Sequence, residues 1–224
     1  MALYIVGEGQ GEQDALPTLI YRMRDHLGLE LPHHGSRHSW KKLLLTQPHI
    51  HAVCGQVRTT SDCDALLLTR DSDNAQLRDA DCPRFTAPEI AGWVRALQLP
   101  FPTAVVLFYR EYETLFLAGA EGMAGRDVLD HRNRISATIP ADATAHPSPE
   151  HPRDAKGWVR SKLVTGYKPV LFQASLTRML DLDVMESTGL SSYRRLVRAL
   201  RFLSTNLGAA GAVYPPSTQK ATDG

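Results

Sequence analysis

Two short apolar runs that stop on acidic residues constrain this chain most. The first is Leu3-Tyr4-Ile5-Val6, closed by Gly7-Glu8-Gly9-Gln10-Gly11-Glu12. The second is Ala65-Leu66-Leu67-Leu68-Thr69, closed by Arg70-Asp71-Ser72-Asp73. Apolar runs of this length, bounded by glycine or turn residues, predict buried strands. A third run, Thr103–Tyr109, stops on Arg110-Glu111-Tyr112-Glu113. Between the runs lie helical patterns. Strands alternating with helices predict right-handed βαβ units and a mainly parallel sheet. In such a sheet ligands sit at the carboxyl ends of the strands, which would gather Glu8, Glu12, Asp71 and Asp73 at one edge. Crowded carboxylates disfavour one another's ionised form unless a cation is present. The expected occupant is a divalent ion held by oxygen ligands, Mg²⁺ or Mn²⁺.

With 224 residues, the chain is long enough for one sizeable core with an appendage. The divisions expected are an α/β domain over 1–121, a long loop and helical part over 122–207, and a disordered tail over 208–224. A formal net charge of +1 is too neutral to argue nucleic-acid binding by itself, so any basic surface must be local. Cys54, Cys63 and Cys82 lack CxxC spacing, which suits a reducing cytoplasm better than a disulfide framework. No apolar run is long enough to span a bilayer, and no basic segment followed by an apolar core predicts a signal peptide.

Ala15, Leu16, Leu19, Ile20, Met23 and Leu27 predict a helix over about 12–27, with Pro17 near its start and Gly28 as its C-cap. Residues 30–52 are less regular and histidine-rich, with a short helix expected through Lys41–Leu45. Thr86-Ala87-Pro88-Glu89 reads as a capping box opening a helix to about Leu97. Helices are expected over Arg153–Val164, Gln173–Leu180 and Ser191–Leu207. In the last, Arg194, Arg195, Arg198 and Arg201 lie opposite an apolar face. They suit either a phosphate backbone or a solvated helix face.

Gly7–Gly11 does not match GxGxxG, and no Gly-Lys-Ser/Thr follows, so neither dinucleotide nor P-loop chemistry is indicated. His49-x-His51-x-x-Cys54 could begin a zinc site, but no second pair completes the spacing. Glu111 and Glu113 share a face if extended and could reach the acidic edge. Tyr112 is the nearest candidate for a tyrosine nucleophile. Lys156 could neutralise phosphate charge in a transition state, or be an ordinary solvated helix lysine.

Val6-Gly7-Glu8-Gly9 through Glu12, followed by a strand ending in Asp71-Ser72-Asp73, resembles the Toprim domain of topoisomerases, primases and OLD-type nucleases. Ala15-Leu16-Pro17, Arg70 through Asp73, Arg110 through Ala118, Asp154-Ala155-Lys156-Gly157-Trp158, Gly166-Tyr167-Lys168-Pro169, Gln173 and Leu176-Thr177 are similar to a Toprim-like family, domain-of-unknown-function family 4276. The resemblance runs from about residue 3 to 203. It implies a Toprim-like α/β fold and a metal-dependent phosphodiester-cleaving nuclease on DNA or RNA. It also implies an ATPase protein partner in a bacterial defence setting. On this resemblance Glu8 is a metal ligand or general acid/base, Asp71 and Asp73 are metal ligands, and Glu12 serves a second ion, for which Glu113 at the end of the third run is a further candidate ligand. Asn74 and Ala75 depart from the acid or glycine expected after Asp73, so one ion or two stays open. Two further readings stand beside it: a catalytically silent interaction subunit of an ATPase complex, and a phosphotransfer or nucleotide-hydrolysing enzyme using the same acids.

Overall fold

The computed structural model describes residues 2–34, 38–39, 46–60, 62–72, 83–130, 132–151, 154–162 and 166–216. The first half of the chain runs β1 (Ala2–Gly7), α1 (Gln10–Leu27), the two-residue strands β2 (His33–His34) and β3 (His38–Ser39), α2 (Gln47–Arg58), β4 (Cys63–Asp71), α3 (Pro83–Ala96) and β5 (Thr103–Phe108). It continues with α4 (Thr114–Ala118), α5 (Ala120–Met123), a hairpin of β6 (Asp127–Leu129) and β7 (Ile135–Thr138), and helices α6 (Ala155–Lys162), α7 (Pro169–Met179), α8 (Leu182–Ser187) and α9 (Ser191–Thr205). It closes with β8 (Val213–Tyr214).

The main sheet has the order β2-β1-β4-β5-β8, with β3 also paired to β1, and every pairing in it is parallel. The fold is therefore α/β with a parallel sheet flanked by helices. The chain leaves β1 toward β2 and β3 on one side, then returns to place β4 on the other. That reversal puts a crevice at the carboxyl ends of β1 and β4, where open α/β sheets bind ligands.

Strand side chains alternate between faces, and the core divides accordingly. Leu3, Ile5, Ala65, Leu67, Ala104, Val106 and Phe108 pack under α1, α4, α7 and α9. Tyr4, Val6, Leu66, Leu68, Val105 and Leu107 pack under α2 and α3. The alternation carries to the strand end: Asp71 falls on the α1/α7 side, and Arg70 on the other.

α1 ends as expected on Gly28, whose φ of 61° is left-handed. The N–H of Leu29 bonds back to the Arg24 carbonyl at 2.9 Å, satisfying a carbonyl the helix leaves open. α1 starts two residues earlier than expected, so Pro17 is its eighth residue and lies two turns inside. The capping box at Thr86 is overturned: α3 starts at Pro83, Thr86 is inside the helix, and Pro83 takes the first-turn place expected for Pro88. α2 replaces part of the irregular stretch, burying Ile50, Val53, Cys54 and Val57. The long connection contains the β6/β7 hairpin, and residues 208–216 are not a loose tail. Gly211 N–H bonds to the Leu99 carbonyl at 2.7 Å, and β8 pairs with Thr103 and Ala104. The expected Lys41–Leu45 helix, Cys82 and residues 217–224 lie outside the described residues. Among the described residues no helix is long and apolar enough to cross a membrane.

α7 lies against α1, and at Gly11 the approach is tight. A Cβ at this position would meet Pro169 Cβ at 2.8 Å and the Pro169 backbone carbon at 3.0 Å, besides the Gln173 amide oxygen. Gly9, one residue before the helix, has nothing within 4 Å of the same construction. Gly11→Ala should therefore lower stability by about 1–2 kcal/mol, overpacking outweighing the gain in helix propensity. Gly9→Ala should stay within about 0.5 kcal/mol of wild type. Urea midpoints of the two variants check both; an equal effect would show that the α1/α7 approach does not depend on Gly11.

Candidate active site

β1 delivers Glu8, the first turn of α1 delivers Glu12, and β4 delivers Asp71 as its last residue. Glu111 and Glu113 come from the turn between β5 and α4, and Lys156 from the first turn of α6. Glu8, Glu12, Asp71, Glu113 and Lys156 line one cleft of about 360 Å³, with Gly11, Val170 and Gln173 from the α1 and α7 ends. Five of the expected site residues are thus brought together. Asp73 lies outside the described residues. Arg194, Arg195, Arg198 and Arg201 are on α9 and do not line this cleft.

Lys156 is not a solvated helix lysine. Its Nζ donates to Glu111 Oε1 at 3.2 Å and to Asp71 Oδ2 at 3.3 Å, and lies 3.6 Å from Glu113 Oε2. Glu111 holds the same residue twice, since its Oε2 accepts the Lys156 backbone N–H at 3.1 Å. Asp154 caps α6 by accepting the Gly157 N–H at 2.7 Å. A Cβ at position 157 would collide with that carboxylate, which accounts for the Asp-Ala-Lys-Gly phrase.

Each acid is anchored from behind. Asp71 Oδ1 accepts the Tyr112 N–H at 2.7 Å. Glu113 Oε1 accepts the Tyr167 hydroxyl at 2.8 Å, with the Gln173 amide at 3.5 Å. Glu12 Oε2 accepts the Glu8 N–H at 2.9 Å. A Cβ at position 7 would meet that same oxygen at 2.9 Å, so Gly7 lets the carboxylate lie against the strand end. Glu8 stands between the two faces: it lines the cleft, and its Oε2 is 3.3 Å from Arg70 Nε. Arg70 is buried, and its Nε and Nη1 have no hydrogen-bond partner.

Burial dominates the electrostatics. It raises Glu12 from its ordinary 4.5 to about 7, and the charges of Glu8 and Glu113 push the same way. Asp71 is held well above the usual carboxylate range, first by burial and then by Glu12 and Glu113. Burial raises Glu113 too, against the pull of Lys156 and the Tyr167 hydrogen bond. For Lys156 burial works to lower the ammonium, but Asp71, Glu113 and Glu111 together outweigh it and raise it. Five carboxylates, Glu8, Glu12, Asp71, Glu111 and Glu113, meet two internal cations: Arg70 pairs with Glu8, and Lys156 with Asp71, Glu111 and Glu113. Ionised together, the acids outnumber these cations. A divalent cation suits that excess and the all-oxygen donor set. The Oε2 atoms of Glu8 and Glu113, buried and without a hydrogen bond, are acceptors it could use.

Burial decides two places where the sequence left chemistry open. Tyr112 is fully buried among Phe108 and Phe116 and shares a hydrogen bond of 2.9 Å with Thr177 Oγ1. Burial also raises its hydroxyl far above the ordinary value, so it is a core residue and no nucleophile. Cys54 packs in the core of α2, where burial pushes its thiol up to about 12, and the His51 ring lies against the Trp93 carbonyl at 3.2 Å. Among the described residues no group of three or more His, Cys, Asp or Glu side chains is spaced to hold a metal. Arg70, Tyr167 and Gln173 contact the acids although the sequence assigns them no role there, whereas Glu111 lies at the acidic edge that it was expected to reach. These three carry no local signal in the sequence of their contact with the acids.

No family model, curated protein or solved structure matches this chain.

Because the folded protein holds the Glu12 proton up to about pH 7, Glu12 favours folding fully below about pH 4.5, and that contribution is lost as pH rises through 7. Glu12→Gln removes the ionisation. In EDTA its thermal midpoint should exceed that of wild type by several degrees at pH 8.5, with the gap shrinking toward pH 5.5. A gap that widened toward acid instead would mean that Glu12 is ionised and stabilised in the folded protein.

Proposed function

We propose that this chain is a metal-dependent phosphodiester-cleaving nuclease of Toprim-like type, using Mg²⁺ or Mn²⁺. The observation that carries the reading is the convergence of Glu8, Glu12, Asp71, Glu111 and Glu113 on the carboxyl edge of a parallel sheet with an excess of negative charge. Glu8, Glu12, Asp71 and Glu113 would hold the ion, with Asp73 added from the sequence pattern. A bound divalent ion supplies Lewis-acid charge to a phosphoryl oxygen and stabilises the oxygens that enter and leave.

The chain's own groups do the rest. Water attacks phosphorus, a P–O bond forms, and the P–O ester bond breaks. The proton of the attacking water passes to solvent, and the departing ester oxygen takes one up from it. Lys156, with over a third of its side chain exposed at the cleft, donates to charge developing on the phosphoryl group. The α1/α7 wall, with Gly11 and Gln173, limits the approach of substrate to one side.

A nucleic-acid substrate is supported by α9. Arg194, Arg198 and Arg201 are exposed and line a single groove with Val197 and Tyr193, against one acid, Glu186. Arg195 is turned inward toward Ser192 Oγ at 3.3 Å. The start of α9 is tied to the carboxyl edge, because Ser192 Oγ accepts the Tyr109 N–H at 2.9 Å. The arginine row therefore starts at the edge that carries the acids.

The second reading, a silent interaction subunit of an ATPase complex, is favoured by one observation: Lys156 already neutralises part of the acid cluster. The experiment that separates the two is incubation with single- and double-stranded DNA and RNA in Mg²⁺ or Mn²⁺. Cleavage should be abolished by EDTA and reduced at least 100-fold in Asp71→Asn, which keeps an acceptor for the Tyr112 N–H. No cleavage on any substrate, together with no metal uptake, would remove the nuclease reading. Separately, the triple variant Arg194→Gln, Arg198→Gln, Arg201→Gln should bind nucleic acid more weakly. Its salt dependence should be shallower by about 0.7–0.9 in log–log slope for each phosphate that is no longer neutralised.

A further inference from the structure

We infer that Asp71, Glu111 and Glu113 form a cation position held by the Lys156 ammonium, and that a divalent ion enters this position by displacing it. The inference rests on the metal-dependent reading above and adds to it Glu111 as a ligand and Lys156 as the competitor.

The three carboxylates share one arrangement. In each, one oxygen is committed to a fixed donor: Asp71 Oδ1 to the Tyr112 N–H, Glu111 Oε2 to the Lys156 N–H, and Glu113 Oε1 to the Tyr167 hydroxyl. In each, the other oxygen faces Lys156 Nζ, at 3.3, 3.2 and 3.6 Å respectively. The anchors come from different elements, so the convergence is not a by-product of one turn. Glu113 Oε2 is fully buried and lacks a hydrogen bond, since the ammonium at 3.6 Å is too far to give it one. A buried acceptor left in that state is costly, and it points at the place a cation occupies.

The spacing suits an ammonium. Mg²⁺ binds oxygen at about 2.0–2.1 Å, so the same three oxygens, now 3.2–3.6 Å from the ammonium nitrogen, must close by roughly 1.1–1.6 Å before they can hold it. That accounts for the lack of a metal-spaced acid group among the described residues. The anchors hold the far oxygens, leaving small side-chain rotations to bring the near ones together. Lys156 can yield without unfolding anything. Its backbone is clamped by Glu111 and capped by Asp154 through α6, while its flexible stem can swing the ammonium toward the cleft mouth. Displaced there, it stays within reach of an anionic substrate.

Wild-type protein is treated with an amine-acylating reagent at pH 7, with and without Mg²⁺, and acylation of Lys156 is followed by peptide mass spectrometry. Mg²⁺ should speed acylation at this residue severalfold relative to other lysines. In parallel, Mn²⁺ affinity is read from the loss of the free-ion paramagnetic resonance signal. Lys156→Met should bind Mn²⁺ at least tenfold more tightly than wild type, and Glu111→Gln should bind it more weakly. Mn²⁺ binding to wild type with no change in Lys156 acylation, or unaltered affinity in a folded Lys156→Met, overturns the displacement while leaving the metal-dependent reading in place. No Mn²⁺ uptake by either protein removes both.

Discussion

Everything at the carboxyl edge follows from placing carboxylates close together in a poorly hydrated crevice. Charge repulsion and lost hydration both oppose ionisation there, and the chain answers with two internal cations on opposite faces of the sheet. Lys156 serves the α1/α7 side, where Asp71, Glu111 and Glu113 meet. Arg70, on the same strand as Asp71 and one residue earlier, serves Glu8 on the other side. The period-2 alternation of β4 is what sends Arg70 and Asp71 in opposite directions. Removing one partner of such a buried pair leaves an uncompensated charge, which typically destabilises more than the pair itself stabilises.

The cleft wall is built with as much care for distance as the acids. Gly7 lets the Glu12 carboxylate lie against the end of β1, and Gly11 lets α7 approach α1. Behind them a polar network links the site to the core: Tyr167 and Gln173 hold Glu113, while Thr177 joins Tyr112 to α7. Arg22, on the far end of α1, donates to the Thr177 carbonyl at 2.7 Å and to the Leu180 carbonyl. Arg126 donates to the Met179 carbonyl at 2.8 Å, so the carbonyls at the α7 C-terminus find partners in two guanidinium groups. The helix carrying Gln173 is thus fixed at both ends relative to α1.

Much of this was legible in the chain and some was not, for identifiable reasons. β1, β4 and β5 are unbroken apolar runs with acidic ends, and each lies where its run lies. The gathering of Glu8, Glu12 and Asp71 follows directly from parallel order. α2 was hidden because its apolar residues, Ile50, Val53, Cys54 and Val57, are diluted by histidines that suggested metal chemistry instead. The α3 start was misplaced because two prolines compete for the first turn and Thr86-x-x-Glu89 imitates a cap. The role of Lys156 could not be read locally. It depends on an interaction with Asp71 spanning 85 residues, and no periodicity carries such information. Tyr112 shows the converse: a chemically capable side chain beside two acids, withdrawn from chemistry by burial between aromatic rings.

β8 bears on how the molecule is made. It seals the outer side of β5 with two residues, Val213 and Tyr214, reinforced by Arg95 donating to the carbonyls of Val213 and Pro215 at 3.3 and 3.0 Å. An unpaired strand edge is a template for joining another chain, and β5 is translated more than a hundred residues before its cover. During synthesis the nascent chain therefore carries an open edge beside a nearly finished sheet. Until Val213 and Tyr214 leave the ribosome, α3, made before β5, can cover one of its faces, whereas α9, which packs on the other, ends only eight residues before β8.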